Sequence, residues 1–307
     1  MSTDVRKTEA GFKPASVWRR IEKHLTIVAF LAVPVAIYVW LVIMPVARGA
    51  IISLYHWNGL GPMEDFIGFD NYVRLWNDSV FRGAVTHNLV IAAAAVFVEL
   101  PFALGLALLL RKKFPGRTIF RAVFFLPFVL SEVIAGLTWS FMYRPDGLVN
   151  AVLGAIVPGY DPIAWLANSR TVLIAASATI IWKYFGIYLI FFIAGLGDIP
   201  AEIEEAALVD GASYWQQLRH ITLPLIGRTA RLSAFLTVLG AIQIFDLVWV
   251  MTQGGPVFAS ETMGTQLYKT AFRAFDLGYG SAMATVLFLL CLTFSIFYQR
   301  ALRRDVN

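Results

Sequence analysis

The stretch EEAALVDGASYWQQLRHITLPLI, residues 204–226, decides how the rest of the chain is read. It is acidic and then amphipathic, and it stands between long apolar runs that suit lipid. Pro200 fits a first helical turn, with Asp198 close to the N-cap position. Residues 201–210 are strong helix formers, and Gly211 is a natural C-terminal break. A second helical segment is expected from Ala212 to His220, stopping before Pro224 because a proline pushes its predecessor out of the helical region. The stretch therefore reads as helix, glycine turn, helix, within a loop covering 195–228. By i, i+3, i+4, i+7 spacing, Ile203, Ala206, Ala207 and Asp210 share one helix face.

Outward from this loop the chain is 58% hydrophobic and only 15% charged. About 20 predominantly apolar residues make one helical crossing of a bilayer. Six runs meet that length: Leu25–Ala47, Asn88–Leu110, Phe120–Tyr143, Thr171–Ala194, Thr229–Thr252 and Ser281–Gln299. The fold expected is all-α, a polytopic membrane helix bundle of six transmembrane helices. One integral domain, 25–300, follows an N-terminal segment 1–24 and precedes a tail 301–307. The first run is about twice the length of a signal-peptide core and lacks a clear small-x-small site after it, so it reads as an uncleaved span.

Lys and Arg set the orientation. With the N-terminus inside, the inner segments hold Arg6 through Lys23, Arg111 through Arg121, Arg219 through Arg231 and Arg300 through Arg304. That is seventeen basic side chains against seven in the outer segments 48–87, 144–170 and 253–280, with Lys183 inside a span. Both termini are expected in the cytoplasm. The net charge of +5 is then a topology signal, not a nucleic-acid footprint. In the outer segments, FIGFDNYVRLW (66–76) suggests a short interfacial helix ahead of a turn at Asn77-Asp78. Pro145-Asp146-Gly147 is a turn signature, and Gly254-Gly255-Pro256 closes the fifth span. The lone Cys291 lies in the last span and reads as a small hydrophobe.

Five acids (Asp198, Glu202, Glu204, Glu205, Asp210) and no base occupy 198–210, against the basic bias of every other inner segment. Acids near a helix N-terminus gain from the macrodipole, which accounts for Asp198 and Glu202 but poorly for Asp210. The other reading is a docking surface, where the short Ala206 and Ala207 let a partner approach the backbone.

Four ionisable residues fall inside spans: Glu99, Glu132, Lys183 and Asp246. At the bilayer centre each costs on the order of 3 kcal/mol, so each must face protein or water. One reading is a polar translocation path, in which carboxylates accept sugar hydroxyls and Trp139, Tyr184 and Tyr188 stack on apolar sugar faces. The other has Lys183 neutralising one acid while the rest serve helix ends or waters. Catalytic constellations are absent: the sequence has no G-x-x-x-x-G-K-[ST] loop, no G-x-S-x-G and no H-E-x-x-H, and His24, His56, His87 and His220 are scattered. The chain is not expected to be an enzyme, to hold a metal or to bind a cofactor.

The loop resembles the cytoplasmic signature of binding-protein-dependent ABC importer permeases, E-A-A, then Gly, then I-x-L-P. It falls here on Glu205, Ala206, Ala207, then Gly211 flanked by Asp210 and Ala212, then Ile221, Leu223 and Pro224. FIGFDNYVRLW, RTIFRAVFFLPFVLSEVIAGLTWSFMY, IWKYFGIYLIFFIAGLGDIP and QIFDLVWVMTQGGP are similar to the carbohydrate class of that family. Gln253 stands where the family usually has Gly, and Glu132 where many relatives have Pro. The resemblance implies a permease of a bacterial cytoplasmic (inner) membrane with five core helices and an extra N-terminal span. It implies a second homologous permease and two ATPase subunits that bind the ATP and Mg. It also implies an external solute-binding protein, with the loop seated on the ATPase and Glu205 making a charge-assisted contact there. Two alternatives stay open: an ion-coupled secondary transporter, and a permease for a polyamine-like cation.

Overall fold

The computed structural model describes residues 15–111 and 114–304, with side chains described from Thr26 to Ala301 apart from 112–113. Most of the expected N-terminal segment, including Arg6, Lys7 and Lys13, lies outside the described residues, as do Lys112, Lys113 and the end of the tail. Among the described residues there is no strand, only an isolated bridge between Tyr55 and Phe66. The chain divides into two units at Ile51/Ile52.

The described residues of the first unit belong to one long helix, α1 (residues 15–52), in which Ala15–Tyr38 passes through a π turn, Val39–Ile43, into Met44–Ile52. From Thr26 onward nearly every side chain is exposed, including Phe30, Trp40 and Leu41. A helix apolar all round suits lipid or a partner helix.

In the second unit, α2 (Asp70–Asn77) is a short helix within the stretch 66–76 where one was expected, running one residue past it. α3 (Ser79–Arg111) follows at once, N-capped by Asp78, whose Oδ1 accepts from the amides of Val80 (2.8 Å) and Phe81 (3.2 Å). The order continues with α4 (Arg117–Val129), α5 (Glu132–Met142), α6 (Leu148–Ile156), α7 (Val172–Gly197), α8 (Ala201–Val209) and α9 (Tyr214–Leu225). α10 (Gly227–Gln243), α11 (Asp246–Thr252), α12 (residues 263–273) and α13 (Leu277–Arg304) complete it. Among the described residues, four helices are long and apolar enough to cross a membrane: Thr26–Ile52, Ser79–Arg111, Val172–Gly197 and Leu277–Ala301. The number reaches six if each of two bent pairs, α4–α5 and α9–α10, forms one span.

Two expected spans are interrupted. The run 120–143 bends by 98° between α4 and α5, because Pro127 removes a backbone donor and Leu130 and Ser131 then turn extended. The Ser131 hydroxyl accepts from the Ile134 amide at 3.2 Å and restarts the helix. The run 229–252 breaks at Ile244 and Phe245, so that α10 and α11 are separate helices. Freed carbonyls at membrane depth need donors. Lys183 Nζ serves Phe128 and Leu130 at 2.8 and 2.6 Å. Asn88 Nδ2 serves Ala241 and Ile242 at 2.7 and 3.2 Å, and Thr262 Oγ1 serves Ile244 at 3.1 Å.

Lipid gives no hydrophobic drive to helix pairing, so close packing must hold the spans together. The fully buried Ala103 and Ala107 let α3 lie against Leu189, Phe192 and Leu196 of α7. At Gly186 the α4 backbone approaches α7 so closely that a Cβ would collide with the Phe124 carbonyl oxygen. These contacts fix the relative positions of α3, α4 and α7, which carry the polar residues described next.

Candidate functional site

The first candidate region is the α8–α9 loop. α7 runs unbroken through Gly197, so Asp198 closes that helix and does not cap the next; Pro200 occupies the N-cap position of α8. α8 ends in a Schellman-type closure, with the Ala212 amide donating to the Ala207 carbonyl at 2.9 Å. Gly211 sits at φ +80°, the conformation a residue with a Cβ resists. Ser213 and Gln216 form a capping box that starts α9. The helix does not stop before Pro224. It widens into a π turn at Leu218–Thr222 and runs on to Leu225, the extra residue relieving the clash of the proline ring with the preceding turn.

On α8, Ala207 is buried and Glu204 half-buried, while Ile203, Glu205, Ala206, Leu208, Val209 and Asp210 are exposed. Of the four residues expected on one face, Ala207 is buried while Ile203, Ala206 and Asp210 are exposed, and Arg111 Nη1 at the end of α3 donates to Glu204 Oε1. Glu205 has no hydrogen-bond or ion-pair partner among the described residues. Leu208, Val209, Tyr214 and Trp215 of the same loop are exposed apolar side chains, Val209 at 86% exposure. Ala212 and Ile221 are half-buried, and Leu223 and Pro224 exposed.

The second region lies between α3, α7 and α10. A cavity of about 120 Å³ is lined by Glu99, Tyr184, Tyr188 and Thr237, together with Ala95, Ile180, Gly240, Ala241 and Ile244. Glu99 closes a π turn, Ala95–Glu99, two residues ahead of Pro101. It is 1% exposed, and its Oε1 has no partner among the described residues. Polar atoms buried without partners are unusual and mark a place for a ligand group or water. Tyr184 links the cavity to Glu132, donating from its hydroxyl to Oε1 at 2.6 Å, and Lys183 Nζ stands 3.8 Å from the same oxygen.

The structure thus gathers Glu99, Tyr184 and Tyr188 around one cavity, with Glu132 and Lys183 one contact away. Two expected path residues do not line this cavity. Trp139 packs with Tyr143 and Trp182, ring centroids 5.1 and 5.4 Å away, and Asp246 is exposed in the first turn of α11. Sequence reasoning missed Thr237, Asn88 and Arg111. For Asn88 the available signal was an amide in an apolar run, and for Arg111 a base ending one.

His56 contacts Asp65 and His87 the Glu261 carbonyl, at 3.2 and 2.8 Å. Among the described residues no group of three or more His, Cys, Asp or Glu side chains could hold a metal.

Residues 24–307 match the family described as binding-protein-dependent transport system inner membrane component. The diacetylchitobiose uptake system permease protein NgcF of Streptomyces coelicolor is 33% identical over 279 residues, covering 87% of this chain and 79% of that protein. The sulfoquinovosyl glycerol transport system permease protein SmoG of Agrobacterium fabrum is 33% identical over 304 residues, 98% of each chain. Among solved structures, a chain of a bacterial ABC transporter involved in import of the acidic polysaccharide alginate superposes with a TM-score of 0.81. It is 22% identical, covering 95% of this chain and all of that one, and it supports the fold. With its long apolar helices and this match over nearly its whole length, the chain is a multi-pass inner-membrane protein that belongs to the family of binding-protein-dependent transport system inner membrane components.

Proposed function

We propose that this chain is the transmembrane permease subunit of an ATP-driven, binding-protein-dependent importer for a sugar or sugar-like solute. It works by alternating access, with a second homologous permease, two copies of an ATPase subunit and an external solute-binding protein. In this reading the six runs are six spans, with both termini in the cytoplasm. The α8–α9 loop seats in the ATPase through Glu205, Ala206, Ala207, Asp210, Gly211, Ala212, Ile221, Leu223 and Pro224. ATP and Mg belong to that partner, whose closure shifts the population from inward-facing to outward-facing.

The observation that carries the reading is the exposed Glu205, without a partner among the described residues, on a loop that also exposes Leu208, Val209, Tyr214 and Trp215. An apolar patch rimmed by charge is the usual form of a protein-binding site. A saccharide is supported by the solutes for which the two permease relatives are named, diacetylchitobiose and sulfoquinovosyl glycerol, and by the cavity's chemistry. Glu99, Tyr184, Tyr188 and Thr237 offer oxygen acceptors and hydroxyls within an otherwise apolar lining. Glu132 and Lys183 extend the path; Trp139 and Asp246 belong to it only if the pore reaches past the cavity.

Reconstitution with the partner subunits tests this. ATP-dependent uptake of a labelled oligosaccharide, competed by saccharides and not by polyamines, is expected. Uptake driven by a proton gradient without ATP would overturn the proposal.

A further inference from the structure

α8 is joined to the rest of its unit at few points. Ala207 is its one buried residue, and a recess of about 300 Å³ lined by Leu108, Arg111, Glu204, Tyr214 and Gln217 separates the loop from the end of α3. Across that recess runs the pair between Arg111 Nη1 and Glu204 Oε1, with 30% and 26% of the side chains exposed. Arg111 lies in the last turn of α3 and Glu204 in the first turn of α8. A cation at a helix C-terminus and an anion at an N-terminus are each favoured by the macrodipole, so the pair links two helix ends of complementary charge. Glu205, one position on, is exposed and has no hydrogen-bond or ion-pair partner among the described residues.

We propose that Arg111 and Glu204 are a strut that ties the docking helix to α3, so that movement of α8 is delivered to two spans and not only to α7, its covalent neighbour. This deepens the docking reading and rests on it. Adjacent acids divide the work: Glu205 meets the ATPase and Glu204 holds the permease side. α3 carries Glu99 and packs along α7 through Ala103 and Ala107, so a pull at Arg111 acts on one wall of the cavity and a pull through Pro200 on another. Arg111 and Glu204 are positioning residues that touch no solute.

The test uses the complete transporter, with Arg111→Gln, Glu204→Gln, the double variant and Arg111→Lys. Retained ATPase and solute taken up per ATP hydrolysed are measured for each. Each single variant should lower uptake per ATP by about fivefold to tenfold, the loss of one charge-assisted hydrogen bond, with the ATPase still bound. The double variant should be no worse than the singles, the signature of a pair acting as one unit, and Arg111→Lys should restore most of the loss. Unchanged uptake per ATP in both singles, or losses that add in the double variant, would overturn the strut. So would release of the ATPase by Glu204→Gln, which would make Glu204 a docking contact. A wild-type chain that holds no ATPase would instead remove the docking reading beneath it.

Discussion

Lys183 Nζ donates to the Leu130 carbonyl oxygen at 2.6 Å, with a second bond to Phe128, and so serves the broken end of a helix before it serves a carboxylate. Glu132 is farther, at 3.8 Å. A buried lysine of this kind closes the C-terminus of α4 and completes the bend into α5.

Lys183→Met should therefore destabilise the protein by about 2 kcal/mol, the cost of leaving buried carbonyls unpaired. Glu132→Gln keeps the acceptor for Tyr184 and should change stability by less than about 1 kcal/mol. Thermal unfolding in mild detergent compares them. Equal losses would mean that the lysine is there for the acid.

Gly186→Ala should cost about 1–3 kcal/mol through overpacking, since the new methyl would press on the α4 backbone at Phe124 and Phe125. Gly105→Ala, with nothing within 4 Å of the added carbon, is the control and should be near neutral. The same melting measurement in detergent reads both.

The cavity predicts which polar residues matter to transport. Glu99→Gln and Thr237→Val should each raise the KM for uptake by about twofold to tenfold, the worth of one hydrogen bond to solute, with ATP hydrolysis retained. Trp139→Phe, in a separate aromatic cluster, should leave it unchanged. Initial-rate uptake across a range of solute concentrations distinguishes these outcomes; a larger effect at Trp139 would move the path away from the cavity.

Much of this was legible in the sequence, for reasons that differ from place to place. The six apolar runs, α2 and the turn at Gly211 were readable from periodicity and from residues whose backbone preferences are strong. The two interruptions were not. Pro127 and the 244–245 junction sit within runs long and apolar enough to read as single spans, and what stabilises each break is a distant donor, Lys183 or Asn88 or Thr262, that spacing cannot pair with it. Pro45, Pro101 and Pro224 do carry a local signal. Each lies two residues after a π turn, Val39–Ile43, Ala95–Glu99 and Leu218–Thr222. At these three positions the proline marks a widening and not a stop. The turn before Pro101 is also the one that ends at Glu99. The pairing of Glu204 was hidden because its partner, Arg111, lies 93 residues earlier.

Gly211 offers a test of loop geometry that steric crowding does not confuse, since nothing lies within 4 Å of an added Cβ. The cost of Gly211→Leu is conformational, about 1–2 kcal/mol for a left-handed backbone. It should abolish coupled uptake while leaving membrane insertion intact. Gly211→Asn, which tolerates that conformation, should retain most of it. Uptake assays on both variants, normalised to inserted protein, check this.

Co-purification of the tagged chain from its native membrane in mild detergent bears most directly on the docking of a separate ATPase through the α8–α9 loop. The wild-type chain should carry with it a second permease and an ATPase, and Glu205→Lys should lose the ATPase while keeping the permease. A lone chain or a homo-oligomer with no ATPase, the loop intact, would contradict the account.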